Sequence, residues 1–244
     1  MSPPKYLDKA NRLIAAFPVD IRTVFLDRCE LVSFQRQDVL TQAGQYVEHV
    51  HFPIDSFAAS IFNLGDGQSL QVGVVGNEGM TSPAVALGTK VASLTNVVQG
   101  AGRMFRLSCR DLQELVQSNK LSSDVLHKYI SLNMDQLARN MACASSHTVE
   151  QRLVRWLLVA KDCTHSSELV LTHEVLASML GVRRERITPI ASLLQKNGLI
   201  HYNRGSVTLV DEPALQALAC RCYQTNKAAY LDDQVQAEPE LFVF

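Results

Sequence analysis

Between residues 31 and 107 apolar residues come in short runs separated by glycine. Leu31-Val32-Ser33-Phe34, Val50-His51-Phe52, Ser60-Ile61-Phe62, the run 70–75 and Asn96-Val97-Val98-Gln99 have the length and composition of strands. Many short strands with frequent turns predict a sandwich or barrel. The stretch 63–68, NLGDGQ, is a hairpin signal. Ahead of this region, residues 5–30 predict one or two short helices. Leu13, Ile14 and Phe17 form a stripe that Pro18 interrupts, and Val24, Phe25 and Leu26 follow.

Past residue 107 the period lengthens. A short helix is predicted over 111–117 and a long one from 121 to about 145. In the long helix Leu126, Ile130, Asn133, Leu137, Asn140 and Ala144 recur at alternating spacings of four and three, the pattern of a coiled-coil seam. Asn133 and Asn140 either specify register at that seam or face an effector pocket; the register role is preferred. Ser145-Ser146-His147 reads as a hinge. Thr148-Val149-Glu150-Gln151 is a capping box. It starts a helix whose apolar face is Leu153, Trp156, Leu157 and Ala160, with Trp156 as a core anchor.

The most informative stretch is 172–196, THEVLASMLGVRRERITPIASLLQK. Thr172 is a good N-cap. Val175, Leu176 and Met179 give a first helix its apolar face, and Gly181 permits a sharp corner. A second helix opens at Arg183-Arg184-Glu185-Arg186 and buries Ile187, Ile190, Ala191 and Leu194. Asn197-Gly198 closes it. Its polar positions include Glu185, Thr188 and Ser192. This is either an ordinary helical corner or a helix-turn-helix that reads DNA. Two β-runs, 199–202 and 207–210, flank a turn at Asn203-Arg204-Gly205-Ser206. They form a wing with Arg204 at its tip and favour the DNA-reading alternative. Asp211-Glu212-Pro213 opens a last helix expected to reach about Tyr230. The acidic tail 232–244 is expected to be loose.

A chain of 244 residues suffices for two compact domains. The net charge of −1 does not advertise nucleic acid, so any attraction to DNA must be local, as at Arg183, Arg184 and Arg186. No apolar run is long enough to span a bilayer, and residues 1–5 lack a signal-peptide core, so a cytoplasmic protein is expected. Six cysteines, at 29, 109, 143, 163, 220 and 222, read as free thiols. Cys220-x-Cys222 lacks the spacing of a zinc knuckle, and no metal site is assigned. Redox or metal sensing would draw on Cys143, His147, Cys163 or His165. No catalytic constellation of Ser, His and Asp or of Cys and His is legible, so no enzyme is expected.

Thr172, Leu176-Ala177, Leu180-Gly181-Val182, Arg184-Glu185, Leu193, Leu194, Gly198-Leu199-Ile200 and the Gly205 wing resemble the C-terminal domain of the cyclic-AMP receptor protein (Crp/Fnr) family. The earlier features are similar to that family's cyclic-nucleotide-binding β-roll. They are Gly44, Val50-His51-Phe52-Pro53, the Gly65–Gly67 hairpin and Val75-Gly76-Asn77-Glu78-Gly79.

The resemblance implies an α+β chain in four parts. A cyclic-nucleotide-binding-like β-roll sensor spans 1–120, a dimerisation helix and hinge 121–147, a winged helix-turn-helix 148–231, and a tail 232–244. It also implies a homodimeric regulator that reads palindromic promoter DNA and works with RNA polymerase. Arg184 and Glu185 match the family's base-reading pair, and Pro189 stands where members carry a second base-reading Arg. Arg183, Arg186, Thr188, Ser192 and Arg204 complete the expected DNA surface.

Effector-pocket candidates are Glu78, Gly79, Thr95 and Asn133; Glu78 is equally a loop residue capping nearby amides. Leu94-Thr95 stands where nucleotide-binding members place an Arg and a hydroxyl residue. A buried phosphate needs a paired cation. Cyclic AMP is therefore disfavoured, the effector is unidentified, and no cofactor is expected. Members that carry an iron–sulfur cluster have several N-terminal cysteines, where this chain has only Cys29. The alternative is a ligand-binding or dimeric scaffold whose helix-turn-helix no longer reads DNA.

Overall fold

The computed structural model describes residues 9–65, 68–164, 166–203 and 205–228. Two short helices, α1 (Arg12–Ala15) and α2 (Val19–Arg28), lead into the first sheet region. Asn11 caps α1 by accepting the Ile14 N–H at 3.1 Å. Its amide donates to the carbonyls of Pro53 and Gly79, both at 2.9 Å. A single fully buried side chain thus fastens the leading helices to the strands. Behind it Phe17 stacks on Phe25 at a centroid separation of 5.2 Å, and Phe25 meets Phe52 edge-on at 5.1 Å.

The strands are β1 (Glu30–Phe34), β2 (Val39–Thr41), β3 (His49–Pro53), β4 (Phe57–Gly65), β5 (Gln68–Val75), β6 (Thr95–Gly100) and β7 (Gly102–Ser108). They form two antiparallel sheets, ordered β1-β7-β3 and β2-β6-β4-β5. Ala58, Val75, Val98 and Met104 make a small apolar cluster within the roll. At the β6–β7 corner Gly102 has φ +156°, and a Cβ there would fall 2.5 Å from the Asp55 carbonyl. Asp55 then accepts from Arg103 Nε and Nη2 at 2.8 and 2.6 Å, fixing the corner.

Helix α3 (Cys109–Ser118) and the long α4 (Lys120–Ser146) follow. α4 lies on the roll and is held by Tyr129, whose hydroxyl accepts the Met80 N–H and donates to the Met80 carbonyl, both at 3.0 Å. Gly79 makes room for this ring: a Cβ there would sit 2.2 Å from the Tyr129 oxygen.

The expected seam of α4 is corrected by this packing. Leu126 is buried in the core of the roll, and Ile130 packs on that core. Asn140 donates to the Val72 carbonyl at 2.9 Å and accepts from Arg155. These residues face the chain's own roll because its apolar core competes for the same stripe. The face left open carries Met134 and Met141, which are 65% and 73% exposed, with exposed Ala138 between them. These positions also alternate by four and three.

The C-terminal unit comprises α5 (Val149–Thr164), β8 (Glu168–Val170), α6 (His173–Leu180), α7 (Arg184–Lys196), β9 (Ile200–Asn203), β10 (Ser206–Leu209) and α8 (Glu212–Leu218). The capping box forms as expected: Thr148 accepts the Gln151 N–H at 3.2 Å, and Gln151 accepts the Thr148 N–H at 3.1 Å. β8, β10 and β9 form a three-stranded antiparallel sheet in that order.

The last helix is also corrected. α8 stops at Leu218, where Ala219 turns extended with ψ 148°, and a separate helix runs over 222–228. Lys161 pairs with Glu212, and Tyr223 donates to Asp162 at 2.7 Å, so both pieces are anchored on α5. Residues 229–231 and the tail 232–244 lie outside the described residues.

The two units share one apolar core. Phe57 of β4 belongs to the cluster of Leu153, Trp156, Leu157, Leu176 and Ile187, with its ring 6.5 Å from Trp156. Trp156 is therefore an anchor between the units as well as within one. Gly76 is the matching close approach on the roll: a Cβ there would lie 2.8 Å from the Cys163 sulfur.

His51 is 4% exposed on β3 and packs edge-on against Phe34 at 5.3 Å. Burial, together with the charges of His49 and Arg106, lowers its pKa from 6.5 to about 3. The unfolded chain binds this proton first. The stabilisation is complete above about pH 6.5 and is lost as the pH falls toward 3. Urea unfolding from pH 7.5 to 5 should show stability falling with pH, and more shallowly in His51→Gln. Equal slopes would contradict a neutral buried His51.

Candidate nucleic-acid interface

Thr172 caps α6 by accepting the Val175 N–H at 3.2 Å. The helix ends where Gly181 takes φ 62° and ψ 40°, the left-handed conformation that glycine adopts without penalty. The Val182 N–H returns to the Ala177 carbonyl at 3.0 Å. Arg152 of α5 donates to the Leu180 carbonyl at 2.5 Å, placing a cation at the carbonyl end of α6. The corner also touches the roll, since a Cβ on Gly181 would lie 2.7 Å from Leu70 of β5.

α7 then begins at Arg184, with Arg183 as an extended N-cap at φ −74° and ψ 148°. Ile187, Ala191 and Leu194 are buried and Ile190 packs beside them, the stripe expected from the spacing. Arg183, Arg184, Glu185, Arg186, Thr188 and Ser192 are all exposed. Among the described residues none of the three arginines makes a salt bridge. Three exposed arginines therefore occupy the N-cap and first turn of a helix whose first amides lack intrahelical partners, an arrangement suited to phosphate. Pro189 lies inside α7, which continues through it to Lys196 at the cost of one backbone hydrogen bond. Arg204 lies outside the described residues; next to it Gly205 has φ +90°, and its carbonyl accepts the Leu171 N–H at 2.6 Å.

One participant escaped the sequence analysis. His173, the first residue of α6, stacks on Tyr202 of the wing at 4.3 Å. Its Nδ1 lies 3.2 Å from the Thr188 hydroxyl. Burial and then the Arg184 charge lower its pKa, which favours the neutral ring. It braces Thr188 against the wing. Nothing in its local sequence marks it, because its partners are 15 and 29 residues away.

The effector candidates are not brought together. Glu78 Oε1 accepts the Gly76 N–H at 2.9 Å, the amide-capping role, and burial raises its carboxyl pKa. Gly79 is occupied by Tyr129, and Thr95 accepts the Ala43 N–H at 3.1 Å. Asn133 is half-buried on α4. Of the four, Glu78 alone lines a cavity of about 950 Å³ between β5, α4, α5 and α6, beside Gln71, Leu137, Asn140, Arg155 and Trp156.

Residues 151–218 match the Crp-like helix-turn-helix domain family. No curated protein sequence matches the chain. Solved structures do. A Crp/Fnr-family transcriptional regulator from Eubacterium rectale is 14% identical with a TM-score of 0.68, covering 86% of this chain and 98% of its own. A CRP-family transcriptional regulator from Thermus thermophilus is 18% identical with a TM-score of 0.65, covering 77% and 96%. The cyclic-di-GMP-responsive global regulator CLP of Xanthomonas campestris is 18% identical with a TM-score of 0.63, covering 80% and 100%.

The chain is thus an α+β protein with a cyclic-nucleotide-binding-like N-terminal fold, a long helix and a helix-turn-helix domain. Residues 151–218 carry a Crp-like helix-turn-helix domain, and the chain as a whole shares the fold of solved Crp/Fnr-family regulators. Among the described residues no helix is long and apolar enough to cross a membrane.

Replacing Gly181 by Ala should cost about 1–2 kcal/mol from the left-handed backbone, and more if Leu70 cannot move aside. Denaturant unfolding measures this, and an unchanged midpoint would mean that the corner is not under conformational demand.

Proposed function

We propose that the chain is a cytoplasmic homodimeric DNA-binding transcription regulator. In this reading residues 1–120 form the sensor, 121–147 the dimerisation helix and hinge, and 148–231 the reader, with 232–244 as tail. The observation that carries it is the N-terminus of α7, with exposed Arg183, Arg184, Glu185 and Arg186 on a helix whose opposite stripe is locked in the core. Arg184 and Glu185 read base edges, Arg a guanine and Glu a cytosine amine. Arg183, Arg186 and Arg204 hold phosphate, and Thr188, braced by His173, and Ser192 extend the surface. RNA polymerase is the expected protein partner of the bound dimer.

Pro189 supports a second reading, a dimeric scaffold with no sequence preference, because it removes a family base-reading position. Binding titrations separate the two. Arg184→Ala should cost roughly 1–3 kcal/mol on a selected duplex and relax specificity at one base position. An equal loss on selected and scrambled duplexes would make Arg184 a phosphate clamp, and no loss on either would remove α7 from the interface.

Dimerisation through α4 uses the exposed Met134, Ala138 and Met141. Light scattering should give a dimer for the native chain and a monomer for Met141→Glu, which would bury a charge at the seam. A native monomer at micromolar concentration would contradict this. An effector other than cyclic AMP would be received in the cavity between β5, α4 and α5, where Glu78, Arg12, Arg152 and Arg155 line the wall and Leu94-Thr95 stands in place of the family's Arg-hydroxyl pair.

A further inference from the structure

The break between α8 and the helix over 222–228 carries two cysteines to the far end of α4. Cys220 and Cys222 there meet Cys143, in the last turn of α4, and His147, its C-cap. The four ligand atoms, three sulfurs and one imidazole nitrogen, all lie within 4.8 Å of one another. Cys143 and Cys220 sulfurs are 3.5 Å apart, and the Cys222 sulfur is 3.7 Å from His147 Nδ1. A tetrahedral zinc centre, with Zn–S of about 2.3 Å and Zn–N of about 2.0–2.1 Å, spaces its ligand atoms about 3.5–3.8 Å apart. The four donors therefore need only small shifts to close on one ion.

We propose that Cys143, His147, Cys220 and Cys222 form a Cys3His site for zinc. Sulfur and imidazole donors select a soft or borderline cation over calcium or magnesium. All four positions are used by side chains, which is the closed coordination of a structural site rather than a catalytic one. Cys143 and Cys220 are buried and the other two are half-buried, so the ion is shielded but reachable. Three thiolates and a divalent ion leave one negative charge, and the Arg155 guanidinium beside Cys143 offsets it.

The ligands come from two stretches far apart in the chain: the last turn and C-cap of α4, and the segment after α8. Zinc there would clamp the long helix to the closing segment of the reader across the hinge. The site stands whether or not the chain reads DNA. Cys163 takes no part, being buried against Gly76, and His165 lies outside the described residues.

The test uses the reduced full-length chain, stripped with a chelator and titrated with cobalt(II) and then zinc. The expected result is about one ion per chain, the intense visible bands of tetrahedral thiolate-bound cobalt, and their loss as zinc displaces it. Cys222→Ser and His147→Gln should each weaken zinc binding by about 100-fold or more, beyond what outer-shell partners contribute. Cys109→Ser, a thiol outside the cluster, should bind as the native chain does. If the first two variants misfold, alkylation of the native chain still decides: zinc should protect Cys143, Cys220 and Cys222 but not Cys109. Six-coordinate or thiolate-free cobalt spectra, no protection, or a Cys143–Cys220 disulfide that forms equally fast with zinc present would overturn the site.

Discussion

The structure depends on one packing constraint: the core of the C-terminal unit is completed by a side chain from the N-terminal roll. Phe57 leaves β4 to join Trp156, and Cys163 presses against Gly76 at the base of β5. Burying an aromatic of this size stabilises by roughly 1.5–3 kcal/mol, so the two units do not separate without exposing apolar surface. The corner at Gly181 touches Leu70 of β5, and Arg36 donates to the Val170 carbonyl at the edge of the wing sheet. The orientation of α7 is therefore set from the side of the N-terminal roll. A change in β5 or in the cavity beside it would be felt at α7 through packed atoms.

The glycines of the Gly76–Gly79 segment serve the same constraint. Each stands where another element passes too close for a Cβ, Cys163 at Gly76 and the Tyr129 ring at Gly79. This loop is the place where α4 and α5 are seated. Glu78 fits that role, since its carboxylate caps the Gly76 amide that the seating leaves in the loop.

Much of this was legible from local pattern. The strand runs, the capping box at Thr148, the corner at Gly181 and the buried stripe of α7 all follow from spacing that a single element imposes on itself. The failures lie where a choice depended on a distant partner. The spacing of α4 is satisfied by two stripes, and only the presence of the roll decides that Leu126 and Ile130 turn inward while Met134 and Met141 stay exposed. The end of α8 carries no proline or glycine to mark it. It breaks because Tyr223 must reach Asp162, 61 residues earlier. The strand β8 is three residues long and exists through pairing with β10. His173 was unreadable for the same reason, and the sequence offered Cys143 and His147 for metal sensing but joined them to Cys163 and His165 and set Cys220 and Cys222 aside, because the four meet in space and not along the chain.

The central claim is that α7 reads DNA as one half of a two-fold pair. Selection of bound duplexes from a random DNA pool by the full-length chain tests it most directly. The account expects enrichment of an inverted repeat whose half-sites lie about one helical turn, roughly 34–36 Å, apart, with a guanine in each half-site that Arg184 is required to enrich. Recovery of unenriched sequence at every salt concentration that permits binding would contradict it, leaving a family fold whose helix-turn-helix has no reading function.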